Sequence, residues 1–412
     1  MKHIDGGVCA PEGFSAGGIW CGIRKKNDKK DLALIVSDRP CAAAGMYTTN
    51  VVKAASVLVT REHLASGTAR AVICNSGNAN ACTGEAGMQA ARRMAQLVAA
   101  KLGVKAEAVA VGSTGVIGVP LPVEAVEKNI DALFASLSPD AAGHAAAIEA
   151  IMTTDTRKKE ISVEFELGGL PVRIGAMAKG AGMIHPNMAT MLSFVTTDAA
   201  VSPKLLDAAL RRAVRRSFNR VTVDGDTSTN DTVLALANGA AGNPRIEVEG
   251  EDYAAFADAL EYVCTRLAIG VAKDGEGATK LVACTVAGAA SEDIAEKLAK
   301  AVVGSSLVKA ACFGADANWG RILCAMGYSG ADFDPASVDV RFRSRAGELA
   351  VCALGASIPF SEETAKKVLQ EDEIEILVDL KKGGKSAGPA SVTAWGCDLT
   401  YDYVKINGDY RS

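Results

Sequence analysis

Residues 176–198 read AMAKGAGMIHPNMATMLSFVTTD, and they join a glycine-rich loop to an apolar segment with the character of a strand. The pattern places Thr190 at the first residue of that strand, directly after Ala189 and at the end of a tight loop. Cleavage of the bond between Ala189 and Thr190 would give Thr190 a free α-amine beside its own hydroxyl, and this amine would act as a built-in base. On residue type alone, a threonine at a strand start more often reflects β-propensity, so both interpretations stay open at this point.

The residues before this stretch alternate between strand patterns and helix patterns. Strands are predicted in apolar segments that polar or glycine-rich turns bound: 31–37, 56–60, 70–74, 161–167 and 172–177. Helices are predicted over 85–102, from Pro122 onward and, in an alanine-rich segment, near 140–152. Gly103 follows the first of these helices as a plausible C-terminal cap.

The residues after the stretch begin with a basic amphipathic helix. Ser202 is a suitable N-cap for this helix and Pro203 a suitable first residue, and we interpret its arginines as a solvated face. The later predicted elements are helices over 252–269 and 294–303 and strands at 337–342, 349–354, 373–380 and, as a last region, 391–404. The change to shorter elements predicts a main domain over 1–282 and a smaller α+β domain over 283–412.

Length, charge and cysteine content limit the class of protein. A chain of 412 residues exceeds the size at which one hydrophobic core usually stops growing, so two domains are expected. A net charge of -4 gives no electrostatic signature of a nucleic-acid or membrane partner, and the first residues lack the pattern of a signal peptide. Eleven cysteines without a CxxC pair indicate reduced, mostly buried thiols and a cytoplasmic location.

Other motifs support weaker interpretations. GSTGVIG at 112–118 lacks the spacing of a dinucleotide-binding loop, and no segment carries the phosphate-loop lysine pattern, which disfavours a nucleotide-dependent kinase or ligase. The acidic stretch VDGDTSTND at 223–231 does not fit the calcium-loop template, so we interpret it as a hydrogen-bonded turn and expect no metal site. None of the four histidines lies in a local pattern with a serine or cysteine nucleophile, and the role of His185 stays open.

The motif AKGAGMIHPNMATML at 178–192 closely resembles the signature of the ornithine acetyltransferases, also called glutamate N-acetyltransferases. The resemblance extends along nearly the whole chain through shorter motifs: CNSGNANACTG at 74–84, GSTGVIG at 112–118, MTTDT at 152–156, VDGDTSTND at 223–231, KDGEGATK at 273–280, GADANWGRI at 314–322 and NGDYRS at 407–412. No position that the family's mechanism requires departs from the pattern, since the final serine keeps the hydroxyl of the threonine that some relatives carry.

The resemblance implies a precursor that cleaves itself before Thr190 into an α chain, residues 1–189, and a β chain, residues 190–412, which stay together. The implied fold is α+β: an αββα sandwich of the type seen in aminopeptidases with an N-terminal nucleophile, followed by the smaller C-terminal domain. The implied reaction of arginine biosynthesis moves acetyl from N-acetylornithine to glutamate by a ping-pong route, without a cofactor or metal. The assembly usual in the family implies an α2β2 heterotetramer. The resemblance leaves open whether acetyl-coenzyme A serves as a second acetyl donor.

The resemblance also implies roles for individual residues. Thr190 is the implied nucleophile, and Thr114 with Gly115 would hold the oxyanion through a hydroxyl and a backbone N–H, the donor pair that a tetrahedral intermediate needs. The implied substrate-binding residues are Thr153, Lys179, Thr190, Glu276, Asn407 and Ser412. Lys179 suits a carboxylate and Glu276 an ammonium group, but Glu276 also suits a capping or salt-bridging residue in a DGEG turn.

Two other classes of protein stay as alternatives. An aminopeptidase or amidase with an N-terminal nucleophile would use the same Thr190 but release the acyl group to water. A non-enzymatic oligomerisation protein would give no reason for a peptide bond to be cut between Ala189 and Thr190. The presence of two fragments on a denaturing gel would therefore count against the second class.

Overall fold

The computed structural model describes residues 1–26, 29–185, 191–383 and 385–408 of the chain. Two compact units make up the chain: Met1–Asn219 with Asp226–Leu267, and Arg220–Gly225 with Ala268–Ser412. The predicted domain boundary between residues 282 and 283 falls inside a strand of the second unit, Leu281–Ala289. No helix within the described ranges is both long enough and apolar enough to cross a membrane.

The first unit is built on a sheet that folds over on itself. Its described strands are β1 Lys2–His3, β2 Phe14–Ile19, β3 Leu32–Tyr47, β4 Thr68–Asn75, β5 Val109–Ser113, β6 Lys159–Leu167, β7 Leu170–Lys179, β8 Leu192–Thr197 and β9 Thr232–Ala237. They run in the order β1-β6-β7-β8-β9-β3-β4-β5, with β2 paired to β3. The long strand β3 joins the two halves of the sheet, because its first part pairs with β2 and β4 and its last part pairs with β9.

The two halves of this sheet pack face to face and carry helices on their outer faces, except that the helix Ala141–Ile151 packs in the core between them, against β2 and β3. The helices of this unit are α1 Ala55–His63, α2 Gly84–Leu102, α3 Val123–Ala135, α4 Ala141–Ile151, α5 Pro203–Arg216 and α6 Glu251–Lys273, which continues into the second unit. Cys74 on β4 shares a buried core with Phe194 on β8, while its neighbour Ile73 faces Met94 of α2. On the other half, α5 packs against β3 and β9. This layering confirms the predicted αββα sandwich.

Local sequence signals fix several helix ends as predicted. Gly103 caps α2 with a φ of 67°, in the left-handed region that favours glycine. The Ser202 hydroxyl accepts the backbone N–H three residues further on, at the start of α5. On the same helix, Arg211 forms an exposed ion pair with Asp207, as expected of a solvated face. These ends follow from short-range hydrogen bonding, which the sequence alone reveals.

The predicted strand over 56–60 is wrong, because these residues belong to α1. The Thr60 hydroxyl donates to the Val111 carbonyl and accepts from the Val111 N–H, both at 2.7 Å. His63 Nδ1 donates to the Val109 carbonyl at 2.8 Å. Strand β5 is the last in the sheet order, so these side chains satisfy backbone groups that would otherwise face an open edge. Packing of the helix against β5 outweighs the β-propensity of its residues.

The second unit contains a smaller sheet covered by helices. Its described strands are β10 Leu281–Ala289, β11 Val338–Ser344, β12 Gly347–Ala353, β13 Ala356–Ser357, β14 Glu373–Lys382, β15 Lys385–Ser386 and β16 Ala390–Cys397, and its further helices are α7 Glu292–Gly304, α8 Ser306–Phe313, α9 Trp319–Gly327, α10 Glu362–Leu369 and α11 Tyr401–Gly408. The strands run in the order β13-β12-β11-β14-β10-β16, with β15 paired to β14. Leu298 of α7 and Val368 of α10 pack in one core with Ile376 of the sheet.

The predicted last strand region, 391–404, is only partly right. Strand β16 ends at Cys397, and residues 401–404 lie in α11. Between them, the Asp398 carboxylate accepts the N–H groups of Thr279 at 2.8 Å and Lys280 at 3.0 Å. This long-range contact ties the chain to the residues before β10, and α11 begins directly after it.

Candidate active site

Three of the predicted site residues lie outside the described residues: Ala189 and Thr190 within 186–190, and Ser412 within 409–412. The described chain resumes at Met191, whose carbonyl accepts the Thr232 N–H of β9 at 3.0 Å. Strand β8 begins one residue later and pairs in parallel with β9 from its first residue. The position next to the predicted nucleophile is therefore fixed by the start of β9.

The predicted oxyanion loop follows β5 directly. The Thr114 N–H donates to the Asn75 carbonyl at 3.0 Å, so the loop stays attached to the end of β4. Gly115 has a φ of 136°, and a Cβ added there would lie 2.3 Å from the Gly77 carbonyl carbon and 2.5 Å from the Asn78 nitrogen. No side chain fits in that space. Glycine at this position allows the two backbone segments to touch.

Asn230 holds this loop beside the start of β9. Its Nδ2 donates to the Ser113 carbonyl at 2.7 Å and to the Ala79 carbonyl at 2.6 Å, and its Oδ1 accepts from the Thr229 hydroxyl at 2.6 Å. The side chain is buried. The local sequence around Asn230 is typical of a hydrogen-bonded turn, but this amide reaches carbonyl groups more than a hundred residues away in the sequence. The only signal for it is the position of Asn230 within a motif shared with the ornithine acetyltransferases.

The Thr153 N–H and the charge of Lys179 both act on the buried carboxylate of Asp155, a residue that the sequence patterns do not single out. Asp155 Oδ2 accepts the Thr153 N–H at 3.0 Å, and Oδ1 accepts the Gly180 N–H at 2.7 Å. Lys159 Nζ also contacts Oδ1, at 2.6 Å. Burial by itself raises the pKa of the Asp155 carboxyl, but the charges of Lys179 and Lys159 and these hydrogen bonds together hold that pKa well below its ordinary value. Asp155 is therefore a carboxylate at neutral pH.

Further cations surround the Thr153 backbone. Arg24 Nη2 donates to the Met152 carbonyl at 2.5 Å and to the Ser76 hydroxyl at 3.1 Å. Lys29 Nζ lies 3.5 Å from the Thr153 carbonyl. Arg24 thus links the residues before Thr153 to the segment on which Gly115 packs. Together with Lys179, these groups give this side of the site a positive character that suits a carboxylate ligand.

In the second unit, the structure brings together two predicted residues that are far apart in sequence. Asn407 Nδ2 donates to Glu276 Oε2 at 2.8 Å. Glu276 is buried, with 8% of its surface exposed. Gly277 has a φ of 69°, and a Cβ there would lie 2.6 Å from the Tyr403 nitrogen, so α11 packs closely on this turn. Glu276 is therefore held by the C-terminal helix in addition to its own turn.

A profile of the ArgJ family matches residues 15–412. Over 413 residues the chain is 57% identical to the arginine biosynthesis bifunctional protein ArgJ of Symbiobacterium thermophilum, with 100% of both chains covered. This chain belongs to the ArgJ family. It is also 53% identical, over 399 residues, to a family member from Clostridium acetobutylicum, covering 97% of this chain and 96% of that one.

Solved structures of the ArgJ family and of an ornithine acetyltransferase also match. The crystal structure of the family member from Bacillus halodurans is 47% identical and covers 53% of this chain and 99% of that chain, with a TM-score of 0.49. The ornithine acetyltransferase of Mycobacterium tuberculosis, solved in complex with ornithine, is 43% identical and covers 45% of this chain and 96% of that chain, with a TM-score of 0.42.

Other polar groups of this ArgJ-family chain, and its large cavity, give no evidence of a second reactive site among the described residues. Burial raises the pKa of the Cys74 thiol to about 12, so it is protonated at neutral pH and is a poor nucleophile. The His185 carbonyl accepts the Thr227 hydroxyl at 2.8 Å. No group of three His, Cys, Asp or Glu side chains among the described residues is arranged to hold a metal ion. A large cavity between α1, β3 and α5, lined by Arg61 and Lys204 among others, contains none of the predicted site residues.

Proposed function

We propose that this protein transfers an acetyl group from N-acetylornithine to glutamate through an acetyl ester on Thr190. It is an acetyltransferase of arginine biosynthesis, as membership of the ArgJ family over residues 15–412 supports. The precursor cleaves itself between Ala189 and Thr190, and the α chain of 1–189 stays with the β chain of 190–412. Cleavage frees the α-amine that the first chemical step needs.

One observation carries this proposal beyond family membership. Asn230 holds the Ser113 carbonyl, at the base of the loop with Thr114 and Gly115, and Thr232 holds the Met191 carbonyl. Only one residue, Asp231, separates Asn230 from Thr232, so the oxyanion loop lies close to the residue that follows Thr190. An N-terminal nucleophile needs donors of this kind within reach of the carbonyl that it attacks.

The proposed reaction has two half-reactions. The Thr190 hydroxyl attacks the acetyl carbonyl of N-acetylornithine while its α-amine takes the proton, and the resulting oxyanion accepts hydrogen bonds from the Thr114 hydroxyl and the Gly115 N–H. Collapse of this intermediate breaks the amide bond and passes the proton to the departing ornithine amine. The amine of glutamate then attacks the acetyl ester, which forms N-acetylglutamate and restores the Thr190 hydroxyl.

Both substrates fit one site because they share an α-carboxylate and an α-nitrogen. Thr153 and Lys179, which share the Asp155 carboxylate and its positive surroundings, bind the common carboxylate in this proposal. Glu276, with Asn407, binds the ammonium group of ornithine, and Ser412 completes the site. Recognition of the common end leaves the far ends of the two side chains free to differ.

The proposed enzyme is a heterotetramer that works in the cytoplasm. Two α and two β chains form the heterotetramer, and the reaction needs neither a metal nor a cofactor. Nine of the eleven cysteines are buried, which suits the reducing conditions of the cytoplasm. No nucleic acid or membrane takes part. Assays with acetyl-coenzyme A in place of N-acetylornithine decide whether the enzyme also acetylates glutamate from that donor.

We expect incubation with N-acetylornithine alone to load one acetyl group onto the β chain. The ester forms in the first half-reaction, which does not need glutamate, and glutamate then removes it. Intact-mass measurement before and after addition of glutamate reports both steps directly. Initial rates should give parallel lines in a double-reciprocal plot, as a ping-pong route requires.

Two outcomes of this experiment would overturn the proposal. Acetyl found only in a ternary complex, with intersecting lines, would exclude the acyl-enzyme route. Release of acetyl at the same rate with and without glutamate would instead support the alternative, an amidase or aminopeptidase that uses water as the acceptor. The Thr190→Ala variant is the control, since any acetyl on its β chain would lie at another residue.

We expect Asn407→Ala to raise KM for N-acetylornithine about tenfold and to leave self-cleavage intact. The change removes a donor to the buried Glu276 carboxylate, and a lost hydrogen bond of this kind costs roughly 1 to 3 kcal/mol. Lys405→Ala, an exposed position on the same helix, is the matched control. Deletion of residues 407–412 should have a larger effect on KM. A truncated enzyme with unchanged kcat and KM would remove Asn407 and Ser412 from the site.

A further inference from the structure

The Asp155 carboxylate joins two segments that carry proposed substrate-binding residues. Thr153 follows α4, and Gly180 directly follows Lys179, the last residue of β7. Oδ2 accepts from the Thr153 N–H and Oδ1 from the Gly180 N–H, at 3.0 and 2.7 Å. The Asp155 side chain is fully buried. A single rigid group therefore sets the distance between the two segments.

The charge on Asp155 is as important as its shape. Asp155 forms a buried ion pair with Lys159, at 2.6 Å, and 2% of the Lys159 side chain is exposed. The charge of Lys179 also acts on the same carboxylate. These three groups together carry one net positive charge in a buried environment. The two lysines would attract a ligand carboxylate, whereas loss of the Asp155 charge would remove a carboxylate that interacts with both of them.

We propose that Asp155 is a positioning residue for substrate binding, which holds Thr153 and Lys179 in the geometry that the substrate carboxylate requires. This inference rests on the proposed function, since it takes Thr153 and Lys179 as ligands of the substrate. Asp155 itself does not touch substrate in this arrangement, because its side chain is enclosed and its oxygens are occupied by backbone and lysine donors. Lys159 serves as its counter-ion.

The test compares Asp155→Asn with Lys159→Met and the double variant Asp155→Asn/Lys159→Met. Asparagine keeps the shape but replaces one acceptor oxygen with an amide donor, so one of the two backbone N–H groups loses its partner. We expect Asp155→Asn to lower kcat/KM by about 10- to 100-fold, mainly through KM, because a small misplacement of a binding group has an effect of this size. Lys159→Met should change KM much less, since Asp155 keeps both backbone contacts.

Thermal unfolding of the same variants separates positioning from stability. We expect the double variant to unfold at a higher temperature than Asp155→Asn, because it no longer buries the Lys159 charge without the Asp155 carboxylate beside it, but to keep the raised KM. Asp198→Asn is the matched control: Asp198 is also buried and accepts the backbone N–H groups of Arg173 at 2.7 Å and Glu12 at 3.1 Å. Its variant should lose stability and keep KM.

The outcomes distinguish this inference from the proposed function on which it rests. If the unchanged enzyme transfers acetyl and the double variant recovers both its stability and its KM, Asp155 is only structural and the inference is wrong. Equal changes in KM for Asp155→Asn and Lys159→Met would lead to the same conclusion. If the unchanged enzyme shows no acetyl transfer, the proposed function fails whatever the variants do. Rates are scaled to the cleaved fraction on a denaturing gel.

Discussion

Thr190→Ala is expected to abolish both self-cleavage and acetyl transfer. Without the Thr190 hydroxyl, nothing attacks the preceding carbonyl, so the α-amine that serves as base is never released. Acetyl transfer then lacks both its nucleophile and its base. Loss of a hydroxyl nucleophile that acts with its base as a unit has cost about a million-fold in kcat in a serine protease, so we expect activity below detection.

A denaturing gel, together with N-terminal sequencing of the β chain, tests whether self-cleavage is lost. The unchanged protein should give two fragments, and the β chain should begin at Thr190. Thr190→Ser keeps a hydroxyl and should retain some of both activities. A Thr190→Ala protein that still transfers acetyl at the normal rate would exclude Thr190 as the nucleophile. A β chain that begins at another residue would show that the cleavage site is misassigned.

Gly115→Ala is expected to lower kcat by about 100- to 1,000-fold, the size of effect seen when an oxyanion donor is lost. A Cβ at this position would lie 2.3 Å from the Gly77 carbonyl carbon, so the backbone must move. The φ of 136° adds strain for any residue with a side chain. Movement of the loop would turn the Gly115 N–H and the Thr114 hydroxyl away from the developing charge.

Gly118→Ala is the matched control for this change. Gly118 lies in the same motif and also has a positive φ, of 78°, but a Cβ there would meet nothing within 4 Å. The Gly118→Ala variant should fold normally and keep most of its kcat. A Gly115→Ala enzyme with the same kcat as the Gly118→Ala enzyme would show that this loop takes no part in the reaction.

Thr114→Val should lower kcat more than it raises KM, since an oxyanion donor acts mainly in the transition state.

Much of the fold can be predicted from short-range patterns in the sequence. Helix α2 with its Gly103 cap and helix α5 with its Ser202 cap lie where the periodicity and the capping residues predict them. Both features depend on neighbours a few residues away. The αββα sandwich itself follows from the resemblance to a family, and not from periodicity. The roles of Thr190 and Ser412 rest on that resemblance as well and stay predictions.

Long-range contacts explain the errors and omissions. The pattern of residues 56–60 predicts a strand. In the structure they form a helix, from which the Thr60 hydroxyl makes hydrogen bonds to the Val111 backbone at the edge of β5. Asp155 lies in the motif MTTDT, but nothing in that motif indicates that its carboxylate accepts the Gly180 N–H at the end of β7. Neither contact can be predicted from the neighbouring residues, because the partner lies on another helix or strand.

The sequence by itself determined the capped helices, most of the strands and the residues that form the chemical motif around Thr190. Only the tertiary structure decided that Asn230 supports the loop of Thr114 and Gly115, that Asp155 joins Thr153 to Gly180, and that Asn407 reaches Glu276. The physical reason is the range of the interactions. Periodicity and capping act within a few residues, whereas a buried amide or carboxylate needs partners that the packing of distant elements supplies.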